Sequence, residues 1–249
     1  MSTPSDALTP RQWLADQPHD ASRYLYVVLG NTSDADPLPA YYRQADAAPL
    51  LPIWEGTPYA GWQEVMPFLG ELRADSLFLD WVEQQTERDW GWLAISPYPA
   101  TVVRDWLRSL TQVRMPDGSE VFFRYWDGRH LAPILTHLGE AAGDLLPVFE
   151  RYWINGRDLT VELPVLGASQ PYPWWDVPPD LLAKLSAEDP APLVDNLMQW
   201  LRETHPDLYF AFPETNLRMK TEHFMRHATY TEDTLAGLFK AHLEKELSL

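Results

Sequence analysis

The sequence contains no cysteine and few basic residues. Without cysteine the chain has no disulfide, no thiolate nucleophile and no cysteine-based metal site, which suits a reducing cytoplasm. Lysine and arginine number 19 against 36 acidic residues, so the formal net charge is -17. Because nucleic acids and anionic membranes attract clustered Lys and Arg, this charge argues against both as partners. We therefore expect a cytoplasmic protein that does not bind nucleic acid.

Other absences concern membranes and catalysis. No apolar run approaches the roughly 18 residues that a spanning helix needs. The first residues show no basic region followed by an apolar run, so no signal peptide is expected. No nucleophile elbow, Walker loop or dinucleotide-binding turn is present, and the first lysine is Lys184. We expect neither an enzyme nor a cofactor.

One pair of residues keeps a metal-dependent hydrolase as a remote alternative. His223 and His227 are four residues apart, so on a helix they share a face and could both reach one zinc ion. A zinc protease helix has its glutamate directly after the first histidine, whereas Glu222 precedes His223. We therefore expect a histidine pair at the surface or at the interface between the lobes, and no metal.

What the sequence has is apolar and aromatic content sufficient for a large core, together with 23 prolines. Strand-like and helix-like patterns alternate through residues 1–150, which predicts an α/β domain whose mixed sheet is covered by helices. Residues 151–192 read as a proline-rich connection, since 162–192 contains seven prolines. Residues 193–249 carry helical patterns and predict a smaller all-helical lobe.

The stretch 112–131 has the most definite local pattern. Pro116 fixes the φ angle that a turn needs and Asp117-Gly118 tolerates positive φ, so we expect a hairpin whose second strand covers 120–126. That strand is aromatic and β-branched on both faces, which predicts a central position in the sheet. Asp127 then occupies an N-cap position, and the following helix has one apolar face, formed by Leu131, Ile134, Leu135 and Leu138.

This order of elements resembles a known bacterial family. A tryptophan-glycine strand (Trp90-Gly91-Trp92-Leu93) precedes an amphipathic helix, a Val-Arg-x-Pro-Asp-Gly hairpin, and then Phe-Arg-Tyr-Trp-Asp and a helix that opens with Leu131. Over about 24–149 the chain is similar to the type VI secretion effector chaperone and adaptor family, whose shared module is domain of unknown function 4123. The family usually has Asp-Pro where this chain has Asp127-Gly128, and an Asp where it has Gly30-Asn31.

The resemblance implies a non-enzymatic protein that holds a toxin effector in the cytoplasm and delivers it to the valine-glycine-repeat spike of the secretion machine. An immunity protein that binds and inhibits a toxin is the alternative, because it could share the acidic charge and the lack of catalytic motifs. The two differ in outcome, since an adaptor leaves its client active and also contacts the spike.

Two pairs of residues are candidates for contact with a partner. Arg124 and Asp127 form either an internal ion pair that fixes the strand-to-helix turn or a pair that recognises the partner. Trp174 and Trp175 lie in the proline-rich connection, where they either pin it onto a lobe or present an apolar surface. We expect client binding to use both lobes, with 171–175 at or near the contact.

Overall fold

The computed structural model describes residues 8–16, 22–44, 48–188, 191–227 and 232–247. The chain divides into two units, residues 1–177 and residues 178–249. The first unit contains a six-stranded sheet, and the second is built of helices. The predicted fold class, an α/β unit with a sheet covered by helices and an all-helical C-terminal part, is confirmed.

The sheet of the first unit has the strand order β2-β3-β1-β4-β7-β8, and its five pairings are antiparallel. Its central strands β1 and β4 are apolar and buried almost throughout, as expected for strands that are covered on both faces. The strands are β1 (Tyr24–Leu29), β2 (Leu51–Pro52), β3 (Phe68–Leu72), β4 (Gly91–Ser96), β7 (Arg151–Ile154) and β8 (Arg157–Thr160).

Apolar side chains cover both faces of this sheet. On one face, Leu25, Val27 and Leu29 of β1 join a core with residues of the first three helices. On the other face, the ring of Trp92 lies 5.2 Å from Phe149. The helices of the first unit are α1 (Pro10–Ala15), α2 (Pro37–Arg43), α3 (Phe78–Glu83), α4 (Ala100–Ser109), α5 (Gly128–Leu138) and α6 (Ala142–Leu145), with a 3₁₀ turn at Gly139–Ala141.

The predicted central strand at 120–126 is wrong. Strands β5 (Gln112–Arg114) and β6 (Glu120–Phe122) form a separate two-stranded sheet, joined by the predicted turn with Gly118 at φ 85°. After Phe122 the chain is irregular, although its aromatic side chains stay buried, and Trp92 Nε1 donates a hydrogen bond to Tyr125 O (2.8 Å). Residues 123–126 are apolar because they pack as a covering layer, which a pattern of apolar residues does not distinguish from a central strand.

Helix α5 begins as the sequence predicts. Asp127 is its N-cap, and its carboxylate accepts a hydrogen bond from Arg129 N–H (2.9 Å). Leu131, Ile134 and Leu135 are buried on one face. The helix therefore follows directly from the aromatic segment and is fixed to it by this cap.

The first unit extends beyond the predicted boundary at residue 150. Strands β7 and β8 form a hairpin that adds to the edge of β4, and both turn residues have positive φ (Asn155 53°, Gly156 82°). Backbone hydrogen bonds also join Arg114 to Trp175 and Val177. The connection predicted for 151–192 thus belongs to the first unit up to Val177. Its prolines exclude long regular elements but do not prevent ordered packing.

The second unit consists of helices with a core of their own. One of them, α7, lies within the predicted connection, since Pro179 is tolerated at the start of a helix. The core includes Leu197, Leu217, Phe224 and Phe239. Among the described residues no helix is both long and apolar enough to cross a membrane. The helices are α7 (Pro179–Glu188), α8 (Ala191–Thr204), α9 (Pro206–Phe210), α10 (Glu214–His227) and α11 (Glu232–Leu247).

Candidate functional site

The loop 53–66, between β2 and β3, is fixed by a series of turns. Thr57 Oγ1 donates a hydrogen bond to Trp54 O (2.8 Å) and accepts one from Tyr59 N–H (3.1 Å). Trp62 N–H then donates to Tyr59 O (2.9 Å), and Val65 N–H donates to Trp62 O (3.2 Å). The loop has no helix or strand, yet these bonds set where the rings of Tyr59 and Trp62 are presented.

Six aromatic side chains from distant parts of the first unit form one aromatic cluster. The ring of Phe122 lies 4.8 Å from Tyr59, 5.4 Å from Trp62 and 5.8 Å from Trp54, measured between centroids. These separations are typical of favourable aromatic pairs. The loop, the β5–β6 hairpin and the segment after β8 all contribute to the aromatic cluster, which comprises Trp54, Tyr59, Trp62, Phe122, Trp126 and Tyr172.

The aromatic cluster has a buried base and an exposed top. Trp54 and Trp126 are buried, whereas Tyr59, Phe122 and Tyr172 are half-buried. Trp62 is 49% exposed. Partial burial raises the pKa of the Tyr172 hydroxyl. An exposed apolar surface held by a rigid aromatic base is typical of a protein contact site.

Trp174 and Trp175, the predicted contact residues of the connection, both pack against the first unit. Trp174 Nε1 donates a hydrogen bond to Ser109 Oγ (3.1 Å), and its ring lies 6.0 Å from Trp106. Trp175 stacks on Phe123 with 5.6 Å between ring centroids. The two tryptophans therefore anchor the connection. Contact with a partner through them stays a prediction, while Tyr172 of the same segment reaches the aromatic cluster.

Arg124 and Asp127 form an ion pair within the first unit. Asp127 is fully buried, and its carboxylate accepts hydrogen bonds from Arg124 Nη2 (3.2 Å) and Arg129 Nη2 (2.8 Å). The bond to Asp127 raises the pKa of Arg129, so this guanidinium stays charged. Since Asp127 has no exposed surface, it can affect a partner only by positioning these two half-exposed arginines. A role in binding stays a prediction.

The two histidines of the hydrolase alternative lie on α10. His223 has an exposed side chain, while the side chain of His227 lies outside the described residues. Among the side chains that are described, no group of three or more His, Cys, Asp and Glu is placed to hold a metal ion.

A cavity of about 360 Å³ lies beside α1 in the first unit. Its walls combine apolar rings with charged side chains, and no histidine, cysteine or serine lines it. The main residues that line it are Leu8, Glu83, Glu87, Arg88, Trp90 and Trp153.

One known family matches the part of the first unit that contains most of the aromatic cluster. The family described as Domain of unknown function (DUF4123) matches residues 25–143. These residues form a DUF4123 domain. The family is associated with chaperones and adaptors of type VI secretion effectors. No curated protein and no solved structure matches the chain.

Both departures from the family pattern are glycines in tight packing within the DUF4123 domain. A Cβ atom at Gly128 would lie 2.9 Å from Ile154 Cγ2 and 3.1 Å from the backbone oxygen of Gly91. A Cβ atom at Gly30 would lie 2.8 Å from Trp126 Cδ1. In this chain the neighbouring side chains fill the space that a larger residue would need, so the departures fit the fold.

Sequence reasoning missed the exposed part of the DUF4123 domain's aromatic cluster. Tyr59 and Trp62 lie in a loop rich in Gly and Pro, where no period of two or 3.6 marks a face. A signal was present, because two large aromatic residues in a short turn-rich segment have no core of their own to fill. Their proximity to Phe122 depends on tertiary structure and has no local signature.

Proposed function

We propose that this protein is a non-enzymatic chaperone or adaptor that binds a type VI secretion toxin effector and helps load it onto the valine-glycine-repeat spike protein. The proposal places it in the cytoplasm, where the toxin is made and the spike is assembled. It is supported by the DUF4123 domain, whose family is associated with such chaperones and adaptors. The spike contact rests on the family association alone.

The single observation that carries the proposal is the exposed top of the aromatic cluster. A carrier must cover apolar surface on its client, and interface hot spots are enriched in Trp and Tyr. Burying the exposed half of the Trp62 ring would contribute roughly 2 kcal/mol, from about 25 cal/mol per Å² of apolar area. The ring is already fixed by Tyr59 and Phe122, so little side-chain entropy is lost on binding.

The test is secretion of the toxin by the bacterium that encodes this protein. We expect deletion of the gene to stop release of the toxin into the medium, and the wild-type gene to restore it. A Trp62→Ala, Tyr59→Ala variant should fold but fail to restore release. A Tyr42→Ala variant is the matched control, since Tyr42 is 59% exposed on α2 and its ring contacts Tyr41. Normal release from the deletion strain would contradict the proposal.

A second measurement separates this function from that of an immunity protein. The toxin should keep its activity when it is bound to the purified protein, because an adaptor delivers an active client. An immunity protein would abolish that activity at equal concentration. The complex should also co-purify with the tagged spike protein, and loss of this association when the toxin is left out would show that it depends on the toxin.

A further inference from the structure

We propose that strand β6 binds an extended segment of the client as an added β-strand, and that apolar side chains of that segment, flanked by Lys or Arg, pack on the aromatic cluster. The inference rests on the proposed function, since it names the part of the client that the adaptor recognises. Strand pairing depends on backbone hydrogen bonds and on charge, neither of which supports the adaptor function above.

The hydrogen-bond pattern of the hairpin leaves one edge of β6 unpaired. Phe123 N–H donates to Thr111 O (3.1 Å) and Met115 N–H donates to Ser119 O (2.8 Å), both between directly opposite residues. Because such pairs alternate along an antiparallel ladder, the backbone groups of Glu120 and Phe122 point away from β5. Within the part of the chain that the structure describes, neither residue's backbone has a hydrogen-bond partner on that side.

The other edge of the same hairpin already carries an added extended segment. Arg114 N–H donates to Trp175 O (3.0 Å), and Val177 N–H donates to Arg114 O (2.8 Å). The bridge between Arg114 and Asp176 is parallel. The hairpin thus accepts an extended neighbour on β5, and β6 presents the equivalent free groups on its outer side. Strand addition to such an edge is a common mode of peptide recognition.

The free edge and the aromatic cluster are continuous. Phe122 belongs to both, because its backbone faces outward while its ring packs on Tyr59 and Trp62. Side chains two residues apart on a strand share a face, so Glu120 lies on the same face as Phe122. A segment paired with β6 would place every second side chain on that face, next to Tyr59 and Trp62.

The charges around this surface select a basic segment. In the loop between β2 and β3, Glu64 directly follows the Trp62 turn, whereas Glu55 is paired with Arg104 (3.3 Å) and Arg108 Nε donates a hydrogen bond to Ile53 O (2.9 Å). Glu64 and Glu120 are exposed, and no ion pair joins either to a described residue. Complementary charge at the rim favours encounter with Lys or Arg and disfavours acidic partners.

The test uses fluorescent heptapeptides that begin and end with Lys or Arg and have Val, Thr, Phe or Tyr between, with binding to the full-length protein followed by anisotropy. We expect saturable binding by members of this set. N-methylation of the alternate residues that face β6 should weaken binding at least tenfold, and methylation of the other set should change it less than about twofold. Equal effects of the two sets, or no saturable binding, would overturn strand pairing.

Charge variants test whether the bound segment is flanked by Lys or Arg. Glu64→Lys with Glu120→Lys should weaken binding of the best peptide at least tenfold. Glu140→Lys with Asp144→Lys makes the same charge change at two exposed residues outside the cluster and should weaken it less than about threefold. Equal losses in the two double variants would show attraction by net charge only and overturn the basic-segment assignment.

Strand pairing and the adaptor role can fail independently of each other. Loss of toxin release in the Trp62→Ala, Tyr59→Ala variant together with methylation-insensitive peptide binding would overturn strand pairing and support the adaptor role. Register-dependent peptide binding together with normal toxin release from the deletion strain would support strand pairing and overturn the adaptor role.

Discussion

At the scale of single residues, Gly91 in the tryptophan-glycine strand is a tightly constrained position. Its φ is 145°, and a Cβ atom there would collide with the carbonyl oxygen of Val28 on β1. Because the two backbones are hydrogen-bonded neighbours, neither can move aside without breaking the sheet. We expect Gly91→Ala to lower the free energy of unfolding of the first unit by more than about 3 kcal/mol. Urea unfolding followed by tryptophan fluorescence measures this.

Gly118 in the hairpin turn is the matched control. It also has a positive φ, 85°, but a Cβ atom there would meet no atom within 4 Å. Gly118→Ala should therefore cost only the left-handed backbone penalty, about 1 kcal/mol. Similar losses at Gly91 and Gly118 would show that backbone conformation rather than the contact with Val28 sets the requirement.

Buried tyrosines should make the first unit sensitive to alkali. Burial raises the pKa of Tyr41 to about 12 and raises those of Tyr26, Tyr125 and Tyr152 further. In the unfolded chain a tyrosine ionises near pH 10, at roughly its reference value. The folded state holds the proton more tightly, so this stability is fully present below pH 10 and is lost as the pH rises from about 10 through 12.

The measurement is the absorbance of tyrosinate, recorded together with circular dichroism across this pH range. Ionisation of the buried tyrosines should coincide with loss of the folded signal. Tyr41→Phe removes one of the titrating groups, so the free energy of unfolding should fall less steeply between about pH 10 and 12. The variant also lacks the hydrogen bond from Tyr41 to Ala48 O (2.8 Å), which lowers stability at every pH. Full ionisation with an unchanged dichroism spectrum would contradict the assignment.

At the scale of elements, the segment 171–177 should be held by its two tryptophans. Trp175→Ala removes the stacked contact with Phe123, and because the ring is half-buried we expect a loss of about 1 to 3 kcal/mol. Hydrogen exchange at the amide of Val177, which bonds to Arg114 O, should become faster. Trp62→Ala should leave that exchange unchanged. Unchanged exchange in Trp175→Ala would show that the backbone bonds alone hold the segment.

Elements with a regular pattern of apolar residues were predictable from the sequence. Elements whose conformation depends on tertiary contacts were not. The apolar patterns of the sequence predict strands at 24–29 and 90–95 and a helix at 100–110, and β1, β4 and α4 lie within about a residue of these bounds. Strand β3 was missed because Gly70 interrupts its apolar run. The structure shows why glycine is there, since a Cβ atom would lie 2.9 Å from both Tyr41 and Leu50. Tertiary packing thus removed the local signal.

The candidate site shows the same limit. From the sequence, Trp174 and Trp175 either pin the proline-rich connection onto a lobe or present an apolar surface to a partner. Their packing on Ser109 and Phe123 uses residues more than 50 positions away, so the sequence left both alternatives open. Exposure of Trp62 depends equally on which neighbours the fold supplies. Pattern analysis identifies residues suited to an interface but does not identify which of them the fold leaves uncovered.

At the scale of the whole molecule, the first unit should fold alone only if it is cut at the right residue. A fragment of residues 1–150 lacks β7 and β8, whose Tyr152, Trp153 and Ile154 are buried in the unit. A fragment of residues 1–177 keeps them and also the segment that pairs with Arg114. We expect the longer fragment to unfold cooperatively in urea and the shorter one to show no cooperative transition. Cooperative unfolding of both would place the boundary at residue 150.

The late position of β7 and β8 in the chain affects how the protein is made. A ribosome releases β1 and β4 well before the residues that pair with the outer edge of β4 and cover Phe123. The edge of β4 stays unpaired until β7 (Arg151–Ile154) has emerged, and the aromatic layer at Phe123 stays uncovered until Trp175 has emerged. Unpaired edges and exposed apolar surface favour aggregation of nascent chains. The first unit therefore completes late in translation, and slow elongation before residue 177 lengthens the period in which it can aggregate.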